Sequence, residues 1–363
     1  MADIYVATTG NDTTGVGSEA NPYATPGKAA GVAVENDVIY VKSGTYTITT
    51  STANIAAGRV ELTLGVRMEG YNTTAGDLGT APVLSAGAVG TISIFKTNGA
   101  FNKTNAFVNL KADGNSQTST IGFEINGTTA GQVSGFAHYC QAVNCTTRGF
   151  YLGNLTFCSA EACAVGFYQF QAAVACRASD CTSHGFDLIG STTQNRSIVG
   201  CLADGNGGSG FRTYFTTSVV NCTAHGNTSD GFNHEFDNIV YANCLATSNG
   251  GYGFNANNTA RPAAIIKCAG LSNTSGNTHS ADAFLSYGFV SLTADPYTNA
   301  AVEDFSLNNT AGGGAACRAA GIPGAYPGGA TTGYLDIGAA QHADPAGGSG
   351  GGLRLAGRGG LAG

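Results

Sequence analysis

Cys222-Thr223-Ala224-His225-Gly226-Asn227-Thr228-Ser229-Asp230-Gly231-Phe232 is one copy of a phrase that this chain repeats. The other copies run from Cys140 to Gly149-Phe150, Cys158 to Gly166-Phe167, Cys176 to Gly185-Phe186, Cys201 to Gly210-Phe211 and Cys244 to Gly253-Phe254. Ala stands two residues after each Cys, and the Cys-to-Gly separation is nine residues in five copies and eight in the second. Cys268 opens a degraded seventh copy without the Gly-Phe. The steps between these cysteines are 18, 18, 25, 21, 22 and 24 residues. A period near twenty with variable insertions marks stacked supersecondary units, each too small to bury a core alone.

Each unit reads as short strands. β-Branched pairs such as Ile198-Val199, Val219-Val220 and Ile265-Ile266 precede the Cys, and alternation puts Val199 with Cys201, and Val220 with Cys222, on one face. Gly-Asn clusters follow, and Gly-Phe opens a second strand. No ten-residue helix fits beside two strands and their turns. Coils of strands stacked ~4.8 Å apart, with equivalent residues in ladders, satisfy the pattern. The expected fold class is all-β, a right-handed parallel β-helix (a solenoid) with a short N-terminal capping helix.

Five residues after each repeat Cys lies a second ladder: Cys145, Cys163 and Cys181, then Asn206, Asn227, Asn249 and Asn273. Asn there can adopt left-handed geometry and pair along the stack, whereas Cys fills the turn as a small apolar group. An earlier coil reads Leu110, Ala112, Asn115 and Gly122-Phe123. The Cys-x4-Cys spacing is not that of a zinc site, and no His recurs at a fixed offset. An odd count of eleven cysteines favours free, buried thiols and a reducing compartment, although neighbouring coils are close enough for disulfides.

Composition agrees. Gly is 55 of 363 residues, and charged residues are 11% against an ordinary ~25%. There is little material for salt-laced helices, and the hydrophobic 42% is too high for a disordered chain. A net charge of −7 with scattered Lys and Arg excludes a phosphate-tracking nucleic-acid binder. No apolar run reaches the ~18 residues of a membrane span. Residues 1–6 lack the basic and apolar regions of a signal peptide, so the chain stays in the cytosol after synthesis or has lost a leader.

The opening residues resemble a known family. Tyr5-Val6, Gly10-Asn11-Asp12, Gly17-Ser18, Pro22 to Thr25, Ala29-Ala30, Asn36 to Val41 and Gly44-Thr45-Tyr46 look like the N-terminal cap of pectate-lyase-like right-handed β-helix proteins. The resemblance departs at Pro26-Gly27, which is expected to shorten or disturb the capping helix. Tyr334 to Gly338 resembles the last strand of such chains. The organisation that follows is 1–50 as cap and first coil, 51–300 as coils (most regular over 107–290), 301–345 as a C-terminal cap, and 346–363 as a Gly-rich tail. Within 42–109, Val60, Leu62 and Leu64 alternate as a strand. The resemblance implies polysaccharide chemistry, by a lyase with an Arg or Lys base and calcium held by acids. Those motifs are absent as strings, so no catalytic residue carries over; no cofactor is expected, and calcium has no motif behind it.

Outward residues of such a coil stack in register along a wall that suits a linear polymer. After each Gly-Phe come Tyr151, Tyr168, Asp187, Arg212, Asn233 and Asn255; two further on come Gly153, Phe170, Ile189, Tyr214, Glu235 and Asn257. Aromatic rings stack on sugars, and Asp, Arg and Asn bond hydroxyls. The candidate catalytic residues are Asp187, Glu235 and Arg212; the candidate substrate-binding residues are Tyr151, Tyr168, Tyr214, Asn233 and His234; no metal ligand is named. Asp230 and Asp237 add to the charge there. Asp187 and Glu235 lie two coils apart, about 10 Å between backbones, against the ~6.5–9.5 Å between carboxyls of an inverting glycosidase. An exposed Asp187–Arg212 ion pair is the plain alternative, and His184 and His225 read as surface groups in turns. Three function classes remain open: a hydrolase or lyase, a glycan-binding tailspike or adhesin, and a structural element of a virion or surface. The expected partner is a polysaccharide or surface glycan, with no nucleic acid. Outward Phe170 and Ile189 suggest a homo-oligomer, a trimer in the tailspike case. The expected location is a virion or cell surface after cytosolic synthesis, or secretion if a leader was removed.

Overall fold

The computed structural model describes residues 1–63, 65–99, 105–127, 135–189, 196–214, 217–235, 239–256, 263–279, 284–322 and 335–341. Leu64, Asp237, Asn257, Tyr334 and the 346–363 tail lie outside them. The described chain divides into two compact units, one within Met1–Gln171 and one from Ala172 onward. Each is built of coils whose strands form three parallel sheets. No helix among the described residues is long and apolar enough to cross a membrane.

A coil has three strands rather than two. In the second unit one coil contributes Thr217–Val220 to the first sheet, Thr223–His225 to the second and Phe232–His234 to the third. The next contributes Ile239–Ala242, Leu245–Thr247 and Tyr252–Ala256, paired in register: Val219 with Tyr241, Ala224 with Ala246, Phe232 with Phe254. The strand missed in the sequence is the Cys-x-Ala step itself. Three residues are too short to show a period, and left-handed corners break the alternation on both sides. One corner residue directly precedes each ladder Cys: Tyr139, Phe157, Ala175, Gly200, Asn221, Asn243 and Lys267 have φ of 51° to 63°. Hence Val199 and Val220 point outward while Ile198 and Val219 share the core with the Cys. The second corner directly precedes the second ladder, at Asn144, Ala162, Asp180, Gly205, Gly226, Ser248 and Ser272. The ladder Asn residues are therefore not left-handed themselves; the turn before them aims their side chains inward.

The ladders are the core. In the first unit the inward rings of Phe95, Phe123, Phe150 and Phe167 stack at 4.7, 4.9 and 5.0 Å, nearly parallel. In the second unit Phe186, Phe211, Phe232 and Phe254 stack at 4.7, 4.9 and 4.9 Å. These spacings are the strand spacing. All eleven cysteines are free and buried. Each ladder thiol has polar partners: the Cys222 Sγ accepts the backbone N–H of Cys201 at 3.5 Å and donates to the Val220 carbonyl at 3.3 Å. Asn206, Asn227 and Asn249 each pass an amide hydrogen to the next, ending at Asn273, Nδ2 to Oδ1 at 2.8, 2.9 and 2.8 Å. The Gly of Gly-Phe is what this ladder requires. A Cβ on Gly231 would lie 2.8 Å from the Asn249 Nδ2 and 2.8 Å from the Gly253 carbonyl oxygen.

The ends differ from expectation. Pro26 does not disturb the capping helix but starts it: the helix spans Pro26–Val32, with Thr25 as N-cap accepting from the Lys28 amide. At a first helical position the missing N–H costs nothing. Asn115 is exposed rather than in the ladder, because Leu110 to Gly122 is three residues longer than the usual nine and the extra length bulges out. In the second unit, Leu292, Tyr297, Phe305, Leu307, Cys317 and Ile337 cover outward Leu202, Leu245 and Ala269 of the second sheet. The described part of 301–345 thus packs along a flank. Residues 335–341 form no strand there; Ile337 donates to the Cys317 carbonyl and Gly338 to that of Asn243. Buried Arg177 ties the segment down, bidentate to Asp204 at 3.1 and 3.1 Å and 2.9 Å from Glu303. His225 is a strand residue beneath this segment, not a turn group, with Tyr297 and Phe305 rings each 5.3 Å away.

Candidate functional site

The outward side of the third sheet carries the candidate residues other than His234, and each unit has its own group. In the first unit Glu124, Tyr151 and Tyr168 share one column. The two tyrosine rings are 5.8 Å apart and tilted by 39°. The Arg148 guanidinium lies 4.7 Å from one ring and 4.1 Å from the other. Arg148 precedes the Gly-Phe and was missed in the sequence; only its register beside the tyrosine column could have signalled it. Phe170, expected outward, is fully buried and edge-on to Phe167 at 6.4 Å, so it offers no surface.

In the second unit Asp187, Arg212, Asn233 and Asn255 are in register on consecutive coils. Arg212 joins the two expected carboxylates. Its Nε and Nη2 donate to Glu235 Oε1 and Oε2 at 2.7 and 3.3 Å, and its Nη1 lies 3.7 Å from Asp187 Oδ2. The pair is not the exposed one considered from the sequence, since Asp187 is only 3% exposed. Its Oδ1 accepts from the Ile189 amide at 3.0 Å. Burial pushes the Asp187 carboxyl above its usual range, against the opposing pull of that amide, His184 and Arg212. His184 belongs to this group rather than to a surface turn: Nδ1 accepts from the Ser209 amide at 3.0 Å and Nε2 lies 3.3 Å from Arg212 Nη1. Burial lowers its pKa, with Arg212 adding to the effect and the Asp187 and Glu235 carboxylates opposing it. The signal for it was the Gly207-Gly208 pair one coil on, because a Cβ on Gly208 would approach His184 Nδ1 to 2.7 Å.

The remaining expected residues divide. Tyr214 is half-buried just past the Arg212 strand, and Asn233 is 9% exposed beside Arg212. His234 faces the core and is fully enclosed, its Nδ1 3.2 Å from Thr213 Oγ1, which is itself 3.2 Å from the Tyr241 hydroxyl. Strand alternation dictates this: Asn233 points out, so His234 points in. It cannot touch a ligand on the wall. Asp230 is structural, accepting from the Tyr252 amide and from Asn255 Nδ2. Among the described residues no group of three or more His, Cys, Asp or Glu side chains is arranged to hold a metal ion. Calcium needs six to eight oxygen ligands, and the two carboxylates here are engaged by Arg212, so these residues do not fit one.

The class that the coils define is the right-handed parallel β-helix, a fold that a solved pectate lyase shares. Among solved structures, the crystal structure of pectate lyase Pel9A superposes over 93% of this chain and 96% of its own, with a TM-score of 0.60 at 15% identity. A rhamnogalacturonan lyase matches over 86% and 94%, TM-score 0.45, 12% identity. ORF18 of Geobacillus virus E2 matches over 73% and 57%, TM-score 0.42, 13% identity. No protein-family model and no curated protein matches the chain.

Proposed function

We propose that this protein binds polysaccharide along the outward side of its third sheet. The observation that carries the reading is the gathering of His184, Asp187, Arg212 and Glu235 in a chain with only 11% charged residues. The first unit has a candidate surface of its own, where Tyr151 and Tyr168, topped by Arg148, offer flat rings of the kind on which sugars stack. The likeness in fold to a pectate lyase supports a polysaccharide ligand.

Turnover is the narrower form of this reading. Asp187, with its carboxyl raised by burial, is then the acid, and Glu235 activates water. The geometry weighs against it, because the Arg212 guanidinium touches both carboxylates where the water of an inverting mechanism would stand. A non-catalytic glycan-binding component of a virion or cell surface is the form we favour. Eleven free, buried thiols support synthesis in a reducing compartment. Homo-oligomer formation fits an apolar first-sheet face in the second unit, where Val240, Leu285 and Tyr287 are 42%, 69% and 70% exposed.

The test is a panel of polysaccharides offered to the full chain, with binding, reducing-sugar release and unsaturated-uronate absorbance read in parallel. Binding without either product supports the favoured form. Product that disappears in the Asp187→Asn, Glu235→Gln double variant supports turnover at this site. No binding to any polymer sinks the proposal.

A further inference from the structure

The surroundings of His184 fix its tautomer. Nδ1 lies 3.0 Å from the Ser209 amide nitrogen and can only accept that N–H. A neutral imidazole holds one ring proton, so it is on Nε2. Turning the ring over would cost the Ser209 amide its acceptor, and the ring is packed against Gly208.

Nε2–H then faces Arg212 Nη1 at 3.3 Å, two donors that cannot bond to each other. Arg212 Nη1 lies 3.7 Å from Asp187 Oδ2, beyond a direct hydrogen bond but within reach of one bridging oxygen. An oxygen at that point is asked to accept twice and to donate once. A hydroxyl does all three. A carboxylate has no hydrogen to give Asp187, and an ammonium has no lone pair for the two donors. Burial, the largest influence, opposes a second proton on His184, together with the Arg212 charge and the Ser209 N–H already on Nδ1, whereas Asp187 and Glu235 favour one. The balance keeps the pKa below its ordinary value, so the donor set persists at neutral pH.

We propose that His184, Arg212 and Asp187 form a subsite for one hydroxyl of a neutral saccharide, which accepts from His184 Nε2–H and Arg212 Nη1–H and donates to Asp187 Oδ2. The inference rests on the polysaccharide-binding reading above and narrows it to a hydroxyl-reading site.

Two measurements test it. In the 15N spectrum of histidine-labelled full chain, His184 should show an unprotonated Nδ1 and a protonated Nε2 at neutral pH; the opposite tautomer overturns the subsite. Immobilised dextran, galactan, xylan and polygalacturonate are then offered to wild type and variants. At least one neutral polymer should bind and shift the His184 Nε2 resonance. His184→Phe should weaken that binding about tenfold, the loss of one hydrogen bond, while His184→Gln, which keeps an N–H, stays within about threefold. Binding of a neutral polymer with no response at His184, in spectrum or variant, removes the subsite and leaves the wider reading standing. Binding of polygalacturonate alone overturns the hydroxyl assignment. If no polymer binds, both readings fall.

Discussion

The enclosed His234 makes the protein sensitive to acid in a calculable way. Its ring is fully buried, with Nδ1 against Thr213 and no partner for Nε2 among the described residues. Burial pulls its pKa down to about 4 from an ordinary 6.5. The folded protein therefore resists a proton that the unfolded chain accepts. The stability from keeping this ring neutral is fully present above pH ~6.5 and is lost as pH falls through the folded pKa. A difference of about 2.5 units at ~1.36 kcal/mol each amounts to about 3 kcal/mol. His138, His184 and His225 also have lowered pKa values, so acid sensitivity has several sources and a difference measurement is needed. Urea unfolding of wild type and His234→Phe at pH 7.5 and pH 4 isolates the term. The variant should lose about 3 kcal/mol less than wild type between those pH values. Equal losses, or a His234 resonance that titrates near 6.5, would refute the argument.

Cys222→Asp should destabilise by several kcal/mol, seen in the denaturation midpoint, because the carboxylate would sit among apolar ladders without a countercharge. Thiol titration of denatured, unreduced protein should report all eleven cysteines; recovery of one or three would contradict the ladder chemistry. Ala162→Gly should stabilise by ~0.5–1 kcal/mol, since alanine at φ 51° bears a left-handed penalty that glycine lacks. Gly205→Val should do the reverse, at φ 63° and with a Cβ placed 2.9 Å from Asp180 Oδ1.

The fold was legible because a ladder imposes one residue type at one position in every coil. Cys222 and Phe232 can be read as inward from their repetition alone. The site was less legible because its contacts join coils through residues that do not repeat. Arg212 meeting Glu235 and His184 depends on side-chain reach across strands about 4.8 Å apart. Arg148 over Tyr151 and Tyr168 is of the same kind. The assignment of His234 to the wall failed on a simple parity rule, and that of Phe170 failed because chain direction changes at a coil corner. The flank was visible in part. Leu202 and Leu245 stand at outward positions where a solvated sheet would carry polar residues, which calls for a cover.

The two left-handed corners have a consequence for how such a chain can change. From each repeat Cys to its Gly the count is fixed at eight or nine, because the second corner and both ladders fall within it. From that Gly to the next Cys it ranges from 9 to 16, as in Gly149 to Cys158 and Gly185 to Cys201. Differences in length therefore fall between that Gly and the next Cys, a stretch that begins with the very strand that bears Asp187, Arg212 or Asn233. A lineage can rewrite what surrounds the wall coil by coil while the stacked interior keeps its register. Structural memory and ligand choice are thus held in separate stretches of each repeat, free to drift at different rates.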